Sequence, residues 1–224
     1  MSLGGAFNAI LQDRDWTTKF LITTIIVFFT GILSPLLIGL IGGVLLVGYQ
    51  VEIARRVRAN APVPLPRWDD YEAFLVQGLP AAIAYLIYLL PIIAVGVVLA
   101  LFGQVFSRAL IGSLAIAFVS CCLVPFTLIY FFTVSAMHAL ATSLYAQERR
   151  AAVFYQVDRL FSLAWRHIAD TLQYIIVTFL LGVILAFISL IPCLGWIAAP
   201  ALGILIAAIL GAQYADVVLG RRAN

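Results

Sequence analysis

The chain has 224 residues, of which 64% are hydrophobic and 10% charged, with a formal net charge of +3. The mean hydropathy is +1.12. This composition indicates an integral membrane protein and leaves no room for a separate soluble domain. The modest net charge gives no reason to expect nucleic acid as a partner.

Four long stretches of the sequence contain no Asp, Glu, Lys or Arg. A bilayer core needs about 20 apolar residues per helix, so each stretch is long enough to cross a membrane at least once. Strands of a membrane barrel would alternate apolar and polar residues, whereas these stretches are apolar on all sides, so helices are expected. The prediction is an all-α, polytopic helical membrane protein. The stretches are 20–51, 73–107, 109–147 and 171–215.

The first and last stretches are longer than one crossing requires. As a single helix, 171–215 would extend about 67 Å, more than twice the hydrocarbon thickness. Its centre holds Pro192, Gly195 and an interfacial Trp196, which predicts a turn between two helices. Stretch 20–51 would extend about 48 Å as one helix, and Pro35 disfavours helix at the residue before it.

The basic residues distinguish one crossing from two in the first stretch. With two crossings there and six in all, 12 of the 13 basic residues share one face, and Arg108 alone lies opposite. Lys and Arg in short loops stay cytoplasmic, so six spans with both termini cytoplasmic are favoured. The short arms of the first hairpin leave open whether 16–54 spans fully or is re-entrant.

In chain order, these signals predict one integral membrane domain over 1–224. A short surface helix is followed by a hairpin over 16–54 and by a proline-stiffened linker over 57–67. A helix capped by Asp69 or Asp70 then leads into the next span. The later elements are spans at about 79–103 and 110–145, an amphipathic helix over 148–168, and a second hairpin over 171–216.

The amphipathic pattern over 148–168 is the clearest in the chain. Its apolar residues recur at helical spacing and include Phe161 and Trp165, whereas Arg149, Arg150 and Arg159 fall mostly elsewhere. Basic residues opposite aromatic ones are typical of a helix in the lipid headgroup region. Packing on the protein's own cytoplasmic surface explains the pattern equally well.

The two hairpins resemble distant copies of each other. The first opens at Trp16 and closes with Tyr49, Glu52 and an arginine pair; the second opens at Trp165 and closes with Tyr214, Asp216 and an arginine pair. Internal duplication is common in transporters. Independent use of the same residues as interface anchors would give the same pattern.

One part of the sequence resembles a known family. It comprises Gly48-Tyr49 to Arg55-Arg56, Leu65-Pro66-Arg67-Trp68-Asp69-Asp70-Tyr71-Glu72-Ala73-Phe74 and Gln77-Gly78-Leu79. In these residues, and across most of its length, the chain resembles an uncharacterised prokaryotic membrane family known as domain of unknown function 4013. The resemblance implies a multispanning helical fold in the cytoplasmic (inner) membrane of a prokaryote and supplies no activity.

The sequence carries none of the common enzymatic signatures for metalloproteases, serine hydrolases or nucleotide binding. We therefore expect no catalytic, cofactor or metal site. His138 is the one imidazole near membrane depth and is interpreted mainly as an interhelical hydrogen-bonding group or a headgroup contact, rather than as a proton or ligand site. The three cysteines, Cys121, Cys122 and Cys193, are interpreted as small apolar side chains.

Three classes of function fit these observations. The leading hypothesis is a non-catalytic membrane subunit or scaffold that binds partner proteins or lipids through a cytoplasmic surface of arginines and aromatic residues. A transporter or channel for a small or lipidic solute is the alternative, and a membrane enzyme is the third. Expected partners are the bilayer, with anionic lipids at the cytoplasmic face, and a larger membrane complex or a second copy of the chain. The candidate contact residues are Glu52, Arg55, Arg56, Trp68, Asp69, Asp70, Tyr71, Arg149, Arg150, Phe161 and Trp165.

Overall fold

The computed structural model describes residues 2–36, 38–106, 110–192 and 194–220. Across these residues the regular structure is helical, without a strand, which confirms the predicted all-α class. The helices are α1 (Leu3–Leu11), α2 (Trp16–Leu33), α3 (Gly39–Arg58), α4 (Tyr71–Phe106), α5 (Leu110–Glu148), α6 (Val157–Arg166), α7 (Ile168–Ser189) and α8 (Leu194–Val218).

The membrane-protein class is also confirmed. Within the described ranges, five helical segments are long and apolar enough to cross a bilayer, and they belong to α2, α4, α5, α7 and α8. The sixth helix of the predicted set, α3, is 20 residues long but carries Glu52 and three arginines in its second half. Arg108, Cys193, Arg221 and Arg222 lie outside the described residues.

The chain divides into two compact units. The larger combines Met1–Ile83 with Ala136–Asn224, and the smaller is Ala84–Ser135. The smaller unit consists of the second half of α4 and most of α5, joined by a hydrogen bond of 2.9 Å from the Tyr130 hydroxyl to the Tyr88 carbonyl. Its large apolar side chains are mostly exposed, as expected for helices surrounded by lipid.

Helix α8 is the centre of the larger unit. It packs against α7, α3, α2 and α1, and its apolar side chains are buried along most of its length, Leu205, Ile209 and Leu210 among them. Packing on several sides requires an apolar surface all round, which explains why α8 shows no amphipathic pattern in the sequence.

Helices α3 and α4 cross at two glycines. A Cβ atom at Gly48 would collide with the carbonyl of Phe74, and one at Gly78 would collide with the carbonyl of Val44. Only a residue without a side chain allows two helix backbones to approach so closely. These glycines belong to the segments that carry the family resemblance, so the resemblance includes a packing requirement.

The linker between α3 and α4 lies further along the chain than the predicted 57–67. Helix α3 continues to Arg58, and the chain leaves the helix through Asn60, whose φ is 51°. The residues before the prolines are free to stay helical, because proline restricts only itself and its immediate predecessor. Helix α4 begins at Tyr71, and Asp70 accepts a hydrogen bond of 3.0 Å from the Ala73 amide, the predicted cap.

The prediction of one amphipathic helix over 148–168 is wrong. Helix α5 extends to Glu148 and ends where Arg149 takes a φ of 52°; a 3₁₀ turn over Ala151–Tyr155 follows. Only 157–166 form the surface helix α6, because the chain breaks again at His167. The turn inserts Val153 and Phe154 into the core, which a straight helix on the surface would not achieve.

Candidate functional site

Three sets of contacts place the polar ends of the hairpins on one face of the larger unit. At the first hairpin, Lys19 near the start of α2 donates a 2.8 Å hydrogen bond to the carbonyl of Leu65, in the segment that follows α3. At the second, the Thr171 and Tyr214 hydroxyls share a 2.7 Å hydrogen bond between the start of α7 and the end of α8. In each hairpin, these contacts therefore lie at the polar end, where its first helix begins.

A buried ion pair joins the two hairpins. Arg58 at the end of α3 donates from Nε to Asp216 of α8 at 3.0 Å, and from Nη1 to the Ser143 carbonyl of α5 at 3.0 Å. The two charged side chains are 2% and 6% exposed. The ends of α3, α5 and α8 thus meet at one point, and the three sets of contacts share one face, which we call the charged face.

Sequence reasoning did not identify the role of Arg58. Asp216 was noted only as lying beside the arginine pair at 221–222, whereas its partner is 158 residues away in the chain. The available signal was position, since Arg58 follows the buried Ala54 by four residues and the buried Val51 by seven. A charged residue on the apolar stripe of a helix is a candidate for a buried ion pair.

The loop before α4 is held by stacked aromatic rings. The Trp68 indole lies parallel to the Tyr49 ring, with centroids 4.1 Å apart and an interplanar angle of 3°, and Phe74 meets both rings edge-on. The indole Nε1 donates to the Thr23 hydroxyl at 3.3 Å. We call Tyr49, Trp68 and Phe74 the aromatic clasp.

Backbone contacts complete the attachment of this loop. The Tyr49 hydroxyl donates to the Pro66 carbonyl at 3.0 Å. Lys19, which binds the adjacent carbonyl of Leu65, also forms a buried ion pair of 2.6 Å with Asp13. Proline-rich backbone has unpaired carbonyls, and the side chains of the first hairpin supply donors for them. The family-like segment is therefore attached to the first hairpin by contacts inside the fold.

Two predicted contact residues are buried. Trp68 is 7% exposed and Glu52 is 6% exposed, so neither side chain is presented at the surface for contact with a partner. Trp68 is buried because its ring packs within the aromatic clasp. The Glu52 carboxylate accepts hydrogen bonds from Arg55 at 2.7 Å and Arg56 at 3.1 Å, the second at the i, i+4 spacing expected from the sequence.

The other predicted contact residues remain on the surface. Arg55 is exposed and Arg56 is partly exposed, even though both pair with Glu52. Asp69 and Tyr71 are exposed beside the clasp, and Asp70 is exposed while capping α4. Phe161 and Trp165 of α6 are exposed and stack with centroids 6.0 Å apart. Arg149 and Arg150 are exposed between α5 and the 3₁₀ turn.

Polar side chains inside the membrane helices are used locally. The hydroxyls of Thr24, Thr127, Thr133 and Thr178 each donate to the carbonyl four residues earlier on their own helix. His138 contacts the Thr142 hydroxyl at 3.4 Å and lies against the Phe154 ring. Among the residues that the structure describes, no three His, Cys, Asp or Glu side chains form a group that could hold a metal ion.

A family model matches most of the chain. Residues 32–194, more than half of the chain, match the family model "Protein of unknown function (DUF4013)". The chain belongs to this family. The matched region contains the aromatic clasp, Arg58 and α6, whereas Lys19 and Asp216 lie outside it. No curated protein and no solved structure matches the chain significantly.

Proposed function

We propose that this protein is a non-catalytic integral membrane subunit or scaffold. It binds partner proteins or lipids through the arginine and aromatic side chains exposed on its charged face. The proposal is supported by a difference between the buried and the exposed side chains of this face. The innermost charges, such as Arg58 and Asp216, tie helices together, whereas Arg55, Tyr71, Arg149 and others remain available at the surface.

The physical reasoning starts from the cost of burying charge. A charge removed from water must be paired and hydrogen-bonded, and an ion pair so placed holds one geometry. The residues that remain exposed include Arg and aromatic side chains beside the carboxylates of Asp69 and Asp70. Arg and aromatic residues are enriched in protein interfaces and at membrane surfaces. A rigid face with such side chains suits attachment more than turnover of a substrate.

The proposed orientation places the charged face in the cytoplasm of a prokaryote, with both termini there. Because short loops rich in Arg stay cytoplasmic, residues 55–67 and 149–166 would share that side. Single cysteines at Asn60 and Ala151, in a cysteine-free background, should react with an impermeant maleimide only after inverting the membrane. A cysteine at Gln104 should show the opposite sidedness. Opposite accessibility of Asn60 and Ala151 would contradict this topology.

Purification in a mild detergent tests the scaffold role. We expect the protein to co-purify in fixed ratio with another membrane protein or with a second copy of itself. Arg55→Glu and Tyr71→Ala, on the charged face, should reduce that association. Trp196→Ala removes a similarly exposed aromatic at the opposite end of α8 and is the control. A wild-type protein that purifies alone and monomeric would refute the partner-binding role.

A further inference from the structure

Helix α6 has two apolar edges with different environments. Leu160 and Ala164 are buried, and α6 packs through this edge on the protein, including α7. Phe161 and Trp165, one residue further along in each case, are 48% and 66% exposed. The stacked pair of rings is therefore apolar surface that the protein does not cover.

Chain connectivity fixes the depth of these rings in the membrane. Trp165 lies three residues before Ile168, where α7 begins, and α7 is one of the helices long and apolar enough to cross a bilayer. The start of such a helix lies at the boundary between acyl chains and headgroups. On α7 itself, Ile168, Leu172 and Ile176 are exposed apolar side chains, so surface that faces lipid begins three residues after Trp165 in the chain.

Three polar side chains of α6 point away from Phe161. At 100° per residue, Arg159, Ser162 and Arg166 fall within about 60° of one another, and all three are exposed. They lie about 100–160° from Phe161. Trp165 is nearer the boundary, about 60° from Ser162, and the exposed Asp158 falls about 20° from Trp165. This arrangement is typical of a helix that lies in the plane of the membrane surface, with one side in the acyl region.

We propose that α6 is an in-plane anchor in the cytoplasmic leaflet. Phe161 and Trp165 insert at the acyl–headgroup boundary, and Arg149 and Arg150 bind the phosphates of anionic lipids. This inference rests on the proposed function, since it names the lipid part of the same surface. Lipid is favoured over a protein partner because Trp165 lies three residues before the lipid-facing surface of α7 begins, and because adjacent arginines complement an anionic leaflet.

Spin labels test the insertion. With Cys121, Cys122 and Cys193 replaced by alanine, single cysteines are placed at Phe161 and Trp165, and at Arg159 and Arg166 as controls on the polar side of the same helix. The purified protein is reconstituted in vesicles of equal parts phosphatidylcholine and phosphatidylglycerol. We expect labels at 161 and 165 to collide with oxygen more than with a water-soluble nickel chelate, and labels at 159 and 166 to do the reverse.

Two results would overturn the insertion. If labels at 161 and 165 collide with the chelate as readily as those at 159 and 166, the rings face water. If they are shielded from both reagents, protein covers them, and the surface is an interface between copies of the chain. Neither result alters the co-purification test, so failure of the anchor and failure of the scaffold role are distinguishable.

Bound lipid tests the headgroup contact. Protein extracted from the same vesicles should retain more phosphatidylglycerol than phosphatidylcholine, and Arg149→Gln with Arg150→Gln should lower that enrichment several-fold. The matched control is Arg55→Gln with Arg56→Gln, another adjacent pair on the same face, whose charges are already paired with Glu52. An equal loss in both double variants, or no loss in either, would refute a specific role for Arg149 and Arg150.

Discussion

The two hairpins provide partners for a buried tyrosine in different ways. Each has a fully buried tyrosine near its polar end, Tyr49 in α3 and Tyr214 in α8. Tyr214 stacks on Tyr174 and bonds to Thr171, both in the other arm of its own hairpin. Tyr49 instead stacks on Trp68 and bonds to Pro66, in the loop that follows its hairpin. The tyrosine of the second hairpin therefore contacts its own hairpin, whereas the tyrosine of the first holds the loop that leads to α4.

The carboxylates at the two hairpin endings also differ in whether their partners lie in the same hairpin. Glu52 pairs with Arg55 and Arg56 on its own helix, whereas Asp216 pairs with Arg58 of the other hairpin. Similar sequence endings therefore serve local pairing in one hairpin and tertiary pairing in the other. The spacing of Tyr, carboxylate and Arg therefore does not specify which partner each group contacts.

The largest effect is expected at the ion pair between the hairpins. Arg58→Met leaves Asp216 buried without its partner, which costs about 3–5 kcal/mol for pairs of this kind. The double variant Arg58→Met with Asp216→Leu should recover much of that loss, because no isolated charge remains. Unfolding of the detergent-solubilised protein by denaturant measures each free energy.

The partly exposed pair in the first hairpin is the control for that experiment. Arg55 is 46% exposed in its side chain, so Arg55→Met should cost no more than about 1 kcal/mol because water screens the interaction. Equal losses for Arg55→Met and Arg58→Met would show that the two hairpin endings do not differ as described.

The next largest effect concerns the attachment of the first hairpin to α4. Gly48→Ala places a methyl group against the Phe74 carbonyl, and the forced separation of the helices should cost about 1–3 kcal/mol. Gly43→Ala on the same helix is the matched control, because its Cβ meets no atom within 4 Å. The midpoint of thermal unfolding in detergent distinguishes the two variants, and equal midpoints would contradict the close crossing.

A smaller effect distinguishes the two tyrosines. Tyr49→Phe and Tyr214→Phe each remove a buried hydrogen bond and keep the ring stack, at a cost of about 1 kcal/mol. Proteolysis should separate them. Only Tyr49→Phe should accelerate cleavage between Asn60 and Trp68, because its lost bond holds that loop. Equal cleavage rates in both variants would show that the hydroxyl does not fasten the loop.

The smallest effects are expected at the membrane-depth groups that neither hairpin ending uses. Cys121→Ala and Cys122→Ala change exposed side chains in α5, and His138→Ala removes a ring that contacts Thr142 and Phe154. We expect each variant to fold and to retain the partners found on purification. Loss of association without loss of folding in any of them would transfer the functional interest from the charged face to the spans.

Prediction of the fold succeeded where one property of the chain was sufficient. The apolar stretches predicted membrane helices, and Asp70 was identified as a cap because its signal lies within one helical turn. Prediction of the surface was less accurate. Trp68 and Glu52 were predicted as contact residues from their chemistry, and they are buried by elements distant in the sequence.

The sequence by itself determined that this chain is a polytopic helical membrane protein of its family, since apolar length and local motifs are properties of consecutive residues. The tertiary structure alone decided that Arg58 pairs with Asp216, that Trp68 is internal and that Phe161 and Trp165 are exposed. The physical reason is that polar groups removed from water bind whichever partner the packing of helices brings within hydrogen-bonding distance. That packing depends on contacts between distant residues, such as the approach of Gly48 to Phe74, which no local pattern records.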